Sequence, residues 1–467
     1  MPEPGATLAD LCAACGGRPA GGPLDAPFAG AAIDTRETDR GNVFFAMKGG
    51  RTDGHRFIRE AARRGAAGAV VEKAPRPRFT GGFPLIRVRS TARALADSAS
   101  WWRRRFRIPV VAITGSNGKT TTKDLAAYVL GGAFGNRVTA TEGNRNNHLG
   151  VPLTIFSIGA GTRAAVMEMA MNHPGEIGRL AGMAAPGIGV ILNASAAHLG
   201  FLGSVSGVAR AKGELIAALP AGGYALLNAG DSAVWGLRRL TRARVLGFGV
   251  GVGEVRAERV RLDGAGRPAF ILRTPAGRAC VRLRLPGVHN AGNAVAAAAV
   301  GYIFGMEPAE IAGRLSGFRP CARMRLEDRR LCGGARAVVD CYNANPASVM
   351  AALEHLGGIG ARRPVLVLGE MLELGAGSVR EHRRIGTAAA RLRPSLLVGI
   401  GRGAREIESA ARRAGVSRTA WRFKAEDARD DVRAALAPGR VVLFKGSRKV
   451  GLERLVEMLE GRGDRAV

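Results

Sequence analysis

Short apolar runs alternate with amphipathic segments along most of the chain. Continuous apolar runs such as Val110–Thr114 and Ile188–Asn193 are typical of strands that are buried on both faces of a sheet. Helical segments follow several of these runs, and this alternation predicts βαβ units with a parallel sheet. The segment Ala291–Phe304 is apolar on nearly every side, so we expect a buried helix there. The pattern therefore predicts an α/β protein.

The order of these segments predicts three domains, with boundaries at residues 1–108, 109–318 and 319–467. A length of 467 residues agrees with this division, because domains commonly hold ~100–200 residues. The third unit shows the alternation most clearly. Its predicted strands are Ala337–Asp340, Val365–Leu368, Leu396–Ile400 and Val441–Phe444.

The charge of the chain is strongly positive, at +31, and the sequence pI is about 11.4. Such a balance suggests a polyanionic partner. Only eight of the basic residues are lysines, however, and the arginines are spread over the whole chain. Biased codon usage or an acidic small-molecule substrate accounts for this charge as well as a nucleic-acid surface does. No interleaving of aromatic and basic residues is evident, so we expect no nucleic-acid partner.

Cysteine usage and the absence of long apolar stretches indicate the compartment. Cys12-Ala-Ala-Cys15 has no second pair to complete a zinc site, so reduced thiols are the favoured interpretation. Residues Met1–Asp10 lack the apolar core of a signal peptide. The longest uncharged stretch, Leu180–Ala209, contains Pro186 and several glycines, and a membrane helix would be more continuously apolar. We expect a cytoplasmic protein without a membrane-inserted segment.

The sharpest chemical signal is a phosphate-binding loop, or P-loop. The strand Val110–Thr114 runs into Gly115-Ser116-Asn117-Gly118-Lys119-Thr120-Thr121, which opens a predicted helix. Glycines let backbone N–H groups close around phosphate oxygens, and the helix N-terminus favours anions. The amine of Lys119 can reach the β- and γ-phosphates, and the hydroxyl of Thr120 can bind Mg²⁺. The sequence thus predicts a nucleotide triphosphate site.

Polar residues also stand at the ends of other predicted strands. Glu168 and His198 follow two apolar strands of the central unit, and ligands gather at the carboxyl ends of parallel strands. We interpret them as candidate metal ligands, although a surface acid and a buried histidine remain alternatives. Asp340–Pro346 and Lys445–Arg448 follow strands of the third unit. They are candidates for binding polar ligand groups, and an ordinary Asn-Pro turn is the alternative for the first.

These motifs together resemble the Mur ligases, the ATP-dependent amide ligases of peptidoglycan precursor synthesis. The resemblance rests first on the P-loop and extends over about residues 31–455. Within the family, the Tyr342-Asn-Ala-Asn-Pro346 block is most similar to the member that adds D-alanyl-D-alanine. The other blocks that carry it are Asp34–Arg36, Phe44–Gly49, Asp53–His55, Gly143–Asn147, Leu149–Pro152, His289–Asn290, Asn293, Arg323, Asp340–Pro346, Leu368–Gly375 and Lys445–Arg448.

The resemblance implies a role for each matching residue. It implies three domains: a small N-terminal α/β domain that binds the UDP-linked substrate, a central parallel-sheet ATPase domain, and a Rossmann-like C-terminal ligase domain. ATP phosphates would lie on Gly115–Thr121, and the catalytic residues would be Lys119, Glu168, His198 and Lys212. Mg²⁺ would be held by Thr120, Glu168, His198 and Lys212. The remaining nucleotide contacts would be Asn290, Asn293, Arg323 and Asp340, and the substrate contacts would be Thr35, Arg36, Asn144, Asn146, Asn147, Tyr342, Asn343 and Asn345.

Lys212 is the least obvious of these residues. From the sequence alone it is a solvated helix lysine that pairs with a nearby acid. The resemblance implies instead that its amine reacts with CO₂ to give a carbamate, which replaces a positive charge beside Mg²⁺ with oxygen ligands. Burial would favour this reaction, because it lowers the pKa of a lysine and leaves the neutral amine.

The resemblance finally implies the reaction. ATP, with Mg²⁺, would activate the terminal carboxylate of UDP-N-acetylmuramoyl-tripeptide, and D-alanyl-D-alanine would attack the acyl phosphate. The family resemblance favours a monomer. Two alternatives are another ligase of the superfamily, either tripeptide-forming or of the folylpolyglutamate type, and a basic P-loop ATPase that acts on nucleic acid.

Overall fold

The structure is a computed structural model that describes residues 6–50, 52–73, 82–195, 202–319 and 324–460. Two residues of the predicted site, His198 and Arg323, lie outside these ranges. Within the described residues the strands form three sheets, one after another along the chain. The predicted α/β class is confirmed, while the boundaries at 108/109 and 318/319 stay a prediction.

The first sheet has the strand order β1-β5-β4-β3-β2, in which β1 is antiparallel and the other strands are parallel. Its Val43–Phe45 and Val70–Val71 side chains are fully buried, which explains why these runs are apolar. The elements are α1 (Leu8–Ala14), β1 (Arg18–Pro19), β2 (Gly30–Ala32), β3 (Asn42–Phe45), α2 (Ile58–Arg63), β4 (Gly68–Val71), β5 (Leu85–Arg87) and α3 (Thr91–Arg104).

Helix α3 joins this sheet to the next one. Trp102 packs on Phe28 and Phe156 at centroid distances of 5.2 and 5.8 Å, and its indole N–H donates to Ile158 O. Beside it, buried Arg103 donates to three backbone carbonyls, among them Ala184 O at 2.9 Å. These bonds satisfy a buried guanidinium without a carboxylate. The connection is therefore packed as tightly as a domain core.

The second sheet is the largest and has the order β14-β13-β12-β11-β10-β9-β6-β8-β7. Its elements are β6 (Val110–Thr114), α4 (Lys119–Phe134), β7 (Val138–Ala140), α5 (Gly150–Phe156), β8 (Ala164–Glu168), α6 (Glu176–Ala184), β9 (Ile188–Ile191), α7 (Val205–Ala217), β10 (Tyr224–Asn228), α8 (Ser232–Gly236), β11 (Arg244–Val250), β12 (Val255–Leu262), β13 (Pro268–Thr274), β14 (Gly277–Arg282), α9 (His289–Ile303) and α10 (Pro308–Gly317).

The expectation of a parallel central sheet holds for only part of it. Strand β12 is still parallel to β11, but β13 pairs antiparallel with β12 and β14 pairs antiparallel with β13, and these strands extend the sheet on one side. Buried and more exposed positions alternate along β13, as expected for a strand with one face on the core. The sequence pattern did not predict strands β12, β13 and β14. The helix predicted at Ala291–Phe304 is present and begins two residues earlier.

The third sheet has the order β15-β16-β20-β17-β18-β19, parallel except for β15. Neighbouring strands β16 and β20 are in a register that places Asp340 opposite Lys445. The elements are β15 (Glu327–Arg330), β16 (Arg336–Asp340), α11 (Pro346–Gly358), β17 (Val365–Gly369), α12 (Ser378–Ala390), β18 (Leu396–Ile400), α13 (Ala404–Arg413), β19 (Thr419–Arg422), α14 (Arg429–Arg433), β20 (Val441–Lys445) and α15 (Leu452–Leu459).

Candidate nucleotide and ligase site

The P-loop forms as the sequence predicts. Fully buried β6 ends at Thr114, and α4 begins at Lys119. Gly118 has φ +80°, and a Cβ there would lie 2.3 Å from Asn293 Oδ1, so only glycine fits. The amine of Lys119 lies inside the loop, where it donates to Gly115 O at 2.8 Å and Ser116 O at 3.3 Å. A bound phosphate oxygen could replace these carbonyls as the acceptor of the Lys119 amine.

Asn193 braces the loop from the end of β9. Its Oδ1 accepts the Asn117 N–H at 2.9 Å, and its Nδ2 donates to Asn117 O at 3.1 Å. Its own backbone carbonyl accepts the Ser116 N–H. Three hydrogen bonds from one residue fix the conformation of the loop. The sequence analysis placed Asn193 only at the end of a strand, because a strand-end asparagine carries no signature of this role.

A cavity of about 570 Å³ opens over the loop and is shared by the second and third sheets. It brings together most of the residues that the sequence predicts for nucleotide and substrate. Its polar lining is Ser116, Asn117, Lys119, Thr120, Thr121, Asp124, Asn146, Glu168, Asn193, Ser195, Asn228, His289, Asn290, Asn293, Arg325, Asp340, Tyr342, Asn343, Asn345, Ser348 and Lys445.

Glu168 is the best-placed metal candidate among the described residues. It ends β8 with 2% of its surface exposed, and its Oε1 accepts Asn146 Nδ2 at 2.7 Å. Its Oε2 is buried without a hydrogen-bond partner in the described structure. An orphaned buried carboxylate oxygen is costly unless a cation or proton meets it. Together with the hydroxyl of Thr120 on the cavity wall, this oxygen fits a hard divalent cation such as Mg²⁺.

Acidic and imidazole ligands are otherwise sparse. Within the described ranges no group of three or more His, Cys, Asp or Glu side chains lies close enough to hold a metal. Thr120 Oγ1 currently accepts a hydrogen bond from Arg325 at 3.0 Å. The predicted ligand His198 belongs to a range that the structure does not describe.

Lys212 differs from the simple expectation of a solvated lysine. It lies on α7 with 2% of its surface exposed, and it has no hydrogen-bond or ion-pair partner among the described residues. The nearby acid Glu214 does not pair with it, because its carboxylate accepts the N–H groups of Gly175 and Gly178 at 2.6 and 2.9 Å. Burial lowers the pKa of Lys212 well below its usual value, and the charge of Lys119 adds to this shift.

The two asparagines at the start of α9 lie together, as their three-residue spacing predicts. Asn293 Nδ2 donates to Asn290 Oδ1 at 2.8 Å, and Asn290 Nδ2 donates to Pro286 O at 2.7 Å. Thr122 on α4 donates to Asn293 Oδ1 at 3.3 Å. Both asparagines are therefore held against the P-loop helix and face the cavity.

The third sheet contributes a buried ion pair. Lys445 Nζ lies 2.9 Å from Asp340 Oδ2 and also donates to Asn343 O at 2.6 Å. The lysine is 2% exposed, so its charge depends on these partners. Tyr342 follows in the chain, and the Arg325 guanidinium stacks on its ring at 4.3 Å. This stacking orients Arg325 toward Thr120 in the P-loop.

Arg325 is a functional candidate that sequence reasoning missed. We expected Arg323 to meet ATP, but Arg323 is outside the described residues, and it is Arg325 that lines the cavity. The two arginines are separated by one residue in the segment Arg323-Met-Arg325. Spacing alone gave no sign of Arg325, since its role depends on the stacking of its guanidinium on Tyr342.

Four of the eight residues expected to contact substrate do not line this cavity: Thr35, Arg36, Asn144 and Asn147. Thr35 is buried, and Arg36 is 81% exposed and paired with Asp34 at 2.6 Å. Asn144 is exposed, whereas Asn147 Oδ1 accepts the N–H groups of residues 149 and 150. The structure does bring the two segments together, because Arg145 donates to Glu37 at 2.8 Å.

Three family models together match most of the chain. The Mur ligase family catalytic domain matches residues 27–102, the Mur ligase middle domain residues 113–301, and the Mur ligase glutamate ligase domain residues 323–448. The chain belongs to the Mur ligase family. The resemblance found in the sequence is thereby confirmed.

Named relatives point to one member of the family. The UDP-N-acetylmuramoyl-tripeptide–D-alanyl-D-alanine ligase of Mycobacterium tuberculosis H37Rv is 38% identical over 91% of each chain. The Escherichia coli K12 enzyme of the same name is 34% identical over 92% of this chain and 93% of its own.

Solved structures agree with these relatives. MurF from Acinetobacter baumannii superposes with a TM-score of 0.86 at 30% identity, covering 97% of this chain and 98% of its own. MurF from Thermotoga maritima, in complex with ADP, gives 0.79 at 28% identity, covering 92% and 97%. In the described part of the chain, no helix is long and apolar enough to cross a bilayer.

Proposed function

We propose that this chain joins D-alanyl-D-alanine to UDP-N-acetylmuramoyl-tripeptide with hydrolysis of ATP to ADP and phosphate. The observation that carries the proposal is the cavity in which the P-loop of one sheet meets the Asp340–Lys445 pair of the next. The names of the relatives supply the substrates. A site between two domains suits a reaction that must exclude water from an activated acyl group.

The reaction has two steps. An oxygen of the tripeptide carboxylate attacks the γ-phosphorus of ATP, the bond from that phosphorus to the bridging oxygen breaks, and ADP leaves. The amine of D-alanyl-D-alanine then attacks the acyl carbon, phosphate leaves, and the nitrogen loses a proton. The first step converts a poor acyl donor into a good one. Positioning and electrostatic stabilisation provide most of the catalysis in such phosphoryl transfers.

The P-loop residues bind and neutralise the phosphates. Gly115–Thr121 would present backbone N–H groups, and the amine of Lys119 would exchange its two carbonyl partners for phosphate oxygens. Burial lowers the pKa of Lys119, and Glu168 opposes that shift, so the carboxylate helps to keep the amine charged. Arg325, stacked on Tyr342, would bring a second positive charge to the transferred group from the third sheet.

Mg²⁺ fits the donors present, and Thr120, Glu168, His198 and a carbamate on Lys212 would hold it. When bound, the ion would offset the charge that develops on the phosphoryl oxygens. Lys212 suits carbamate formation because its amine is buried and has no acidic partner in the described structure. The neutral amine forms an N–C bond with CO₂, and one proton leaves for solvent.

Nucleotide and substrate contacts complete the assignment. Asn290 and Asn293 would contact the nucleoside. Asp340 would contact the phosphates, together with either Arg323 or Arg325. Tyr342 and Asn343 would contact the substrates from the third sheet. The UDP-sugar tripeptide would lie along the junction of the first two sheets, where Glu37 pairs with Arg145. The predicted substrate residues are close neighbours of Glu37 or Arg145 along the chain: Thr35, Arg36, Asn144, Asn146 and Asn147.

A ligation assay tests the function. Purified protein is incubated with ATP, Mg²⁺, D-alanyl-D-alanine and either the diaminopimelate- or the lysine-containing UDP-tripeptide, and the pentapeptide is detected by mass. We expect product with one or both tripeptides and phosphate release that requires all substrates. Product from a UDP-dipeptide with a single amino acid, glutamate addition to a folate, or phosphate release stimulated by single-stranded DNA would support the alternatives and contradict the proposal.

A further inference from the structure

A second cavity lies in the first domain and shares no lining residue with the nucleotide site. It has a volume of about 700 Å³ and lies between the end of α1, strands β1 and β5, and the first turn of α3. Four arginines and one aspartate are its charged lining residues. The full lining is Ala14, Cys15, Gly16, Arg18, Arg87, Val88, Arg89, Ser90, Arg93, Ala94 and Asp97.

The sheet itself forces two of these arginines together. Arg18 on β1 and Arg87 on β5 are direct partners in the antiparallel register. Side chains at such positions lie on the same face, with Cβ atoms roughly 4.5–5.5 Å apart. Like charges directly opposite each other destabilise a strand pair. The fold thus places two arginines opposite each other on neighbouring strands, at a cost, in the lining of one cavity.

Acidic partners do not compensate this charge. The guanidinium groups of Arg18, Arg87 and Arg89 form no hydrogen bond or ion pair with any residue that the structure describes. Arg93 lies 3.5 Å from Asp97, in a pair that is largely exposed. Other arginines of the same domain do find carboxylates close by, as Arg64 does with Glu60 at 3.2 Å. The cavity therefore has an excess of positive charge that no described side chain neutralises.

We propose that this cavity binds the phosphate group of a small phosphorylated or diphosphorylated molecule. Guanidinium groups bind phosphate through paired N–H donors, and several of them converging on one concavity match its multiple oxygens. A bound anion would also relieve the repulsion between Arg18 and Arg87. A concave site of this volume suits a small molecule. The site is separate from the ligase reaction, and its occupancy is independent of the proposed function.

The test is a binding measurement on the full chain. The P-loop is first saturated with a non-hydrolysable ATP analogue, so that it cannot take up the probe. Inorganic pyrophosphate is then titrated calorimetrically into the wild type and into the R18A/R87A double variant. The matched control is R40A/R59A, which removes two exposed arginines of the same domain that do not line the cavity. A second arm measures cosedimentation with phosphatidylglycerol vesicles, with phosphatidylcholine vesicles as the blank.

The outcomes separate the sources of the phosphate. We expect pyrophosphate to bind the wild type and the control alike, with affinity at least roughly tenfold weaker in R18A/R87A, as loss of charge-assisted hydrogen bonds implies. Vesicle binding that depends on the same two arginines, without pyrophosphate binding, would identify a lipid headgroup as the source. If the double variant and the control bind both probes equally, or if neither probe binds the wild type, the arginines only protect the sheet edge and the proposal is wrong. Ligation activity should be unchanged in both variants.

Discussion

Asn345 of the third sheet donates from Nδ2 to Oδ1 of Asn117 in the P-loop, at 2.7 Å. The same side chain caps α11, because its Oδ1 accepts the Ser348 N–H at 2.9 Å. One buried asparagine thus ties the start of a C-terminal helix to the phosphate site. A substrate contact by Asn345 stays a prediction. In the described structure its amide donor is engaged by the P-loop and its oxygen by the helix cap, so the side chain holds the two domains together.

Replacing Asn345 by serine should separate these two roles. Serine caps a helix about as well as asparagine, but it is too short to reach Asn117. We expect kcat to fall roughly two- to tenfold, the value of one neutral hydrogen bond, with little change in thermal stability. Steady-state kinetics and a thermal melt measure both quantities. Asn345→Ala is the control that should also lower stability, and a serine variant with wild-type kcat would show that the bond does not support closure.

Lys119→Ala should lower kcat by roughly 10²–10³ or more, as the loss of one preorganised electrostatic group does. Among the described residues the amine bonds only to the loop carbonyls of Gly115 and Ser116, so the fold should persist. Circular dichroism and the ligation assay together check this. A variant that retains more than half of the wild-type turnover would contradict the P-loop assignment.

Asp340→Ala should reduce turnover more than it weakens nucleotide binding to the central domain. The change leaves the buried Lys445 without its charge partner, and this disturbs the third sheet's side of the cavity. Calorimetric titration of an ATP analogue is compared with kcat, and Asp340→Asn serves as the isosteric control. Equal losses in kcat and in affinity would indicate that Asp340 only binds nucleotide.

The sequence predicted some parts of this architecture closely and others not at all. The strand Val110–Thr114 and the helix start at Lys119 agree with the structure, because an apolar run and a glycine turn are both local signals. Strands β12–β14 were missed, since charged residues interrupt β12 and no helix separates the three strands to complete a βαβ pattern. These segments become strands because they pair with neighbours in the folded sheet, and local sequence patterns do not encode that pairing.

The site shows the same division between local and long-range information. Spacing predicted that Asn290 and Asn293 share a face, and they are hydrogen-bonded. Spacing could not reveal that Asn193 braces the P-loop or that Arg325 stacks on Tyr342. Asn193 lies 76 positions from Asn117, and Arg325 lies 17 positions from Tyr342. Only the folded chain brings each pair together.

Stability should fall in mild acid, in part through His382. This histidine is buried in α12, where Nδ1–H donates to Ser378 O at 2.7 Å and Nε2 accepts the Met371 N–H at 2.9 Å. The bond from Met371 requires an unprotonated Nε2, and burial lowers the pKa of His382 below the usual 6.5, although the bond to Ser378 O opposes this shift. As the pH falls below about 6.5, His382 therefore binds a proton in the unfolded chain before it does so in the folded chain. The stabilisation is fully present above about pH 6.5 and is lost as the pH falls toward the folded pKa.

The measurement compares denaturant unfolding of the wild type and His382→Gln between about pH 7 and 5. We expect the wild type to lose up to about 1.4 kcal/mol per pH unit more than the variant, the slope for one proton. His355 is also buried, and burial lowers its pKa in the same direction, so some slope should persist in the variant. Identical slopes for the two proteins would show that His382 does not titrate on unfolding.

Lys212→Ala should nearly abolish ligation, and formate or acetate should partly restore it. The structure removes the simplest alternative, an ion pair with Glu214, because that carboxylate caps the turn at Gly175 and Gly178. A buried amine with a lowered pKa and no acidic partner suits carbamate formation, and a small carboxylate in the space left by the side chain can supply similar oxygens. The control is Glu214→Gln, which weakens the cap without removing an amine; its activity should not respond to formate. A fully active Lys212→Ala, or rescue that is equal in both variants, would contradict the carbamate.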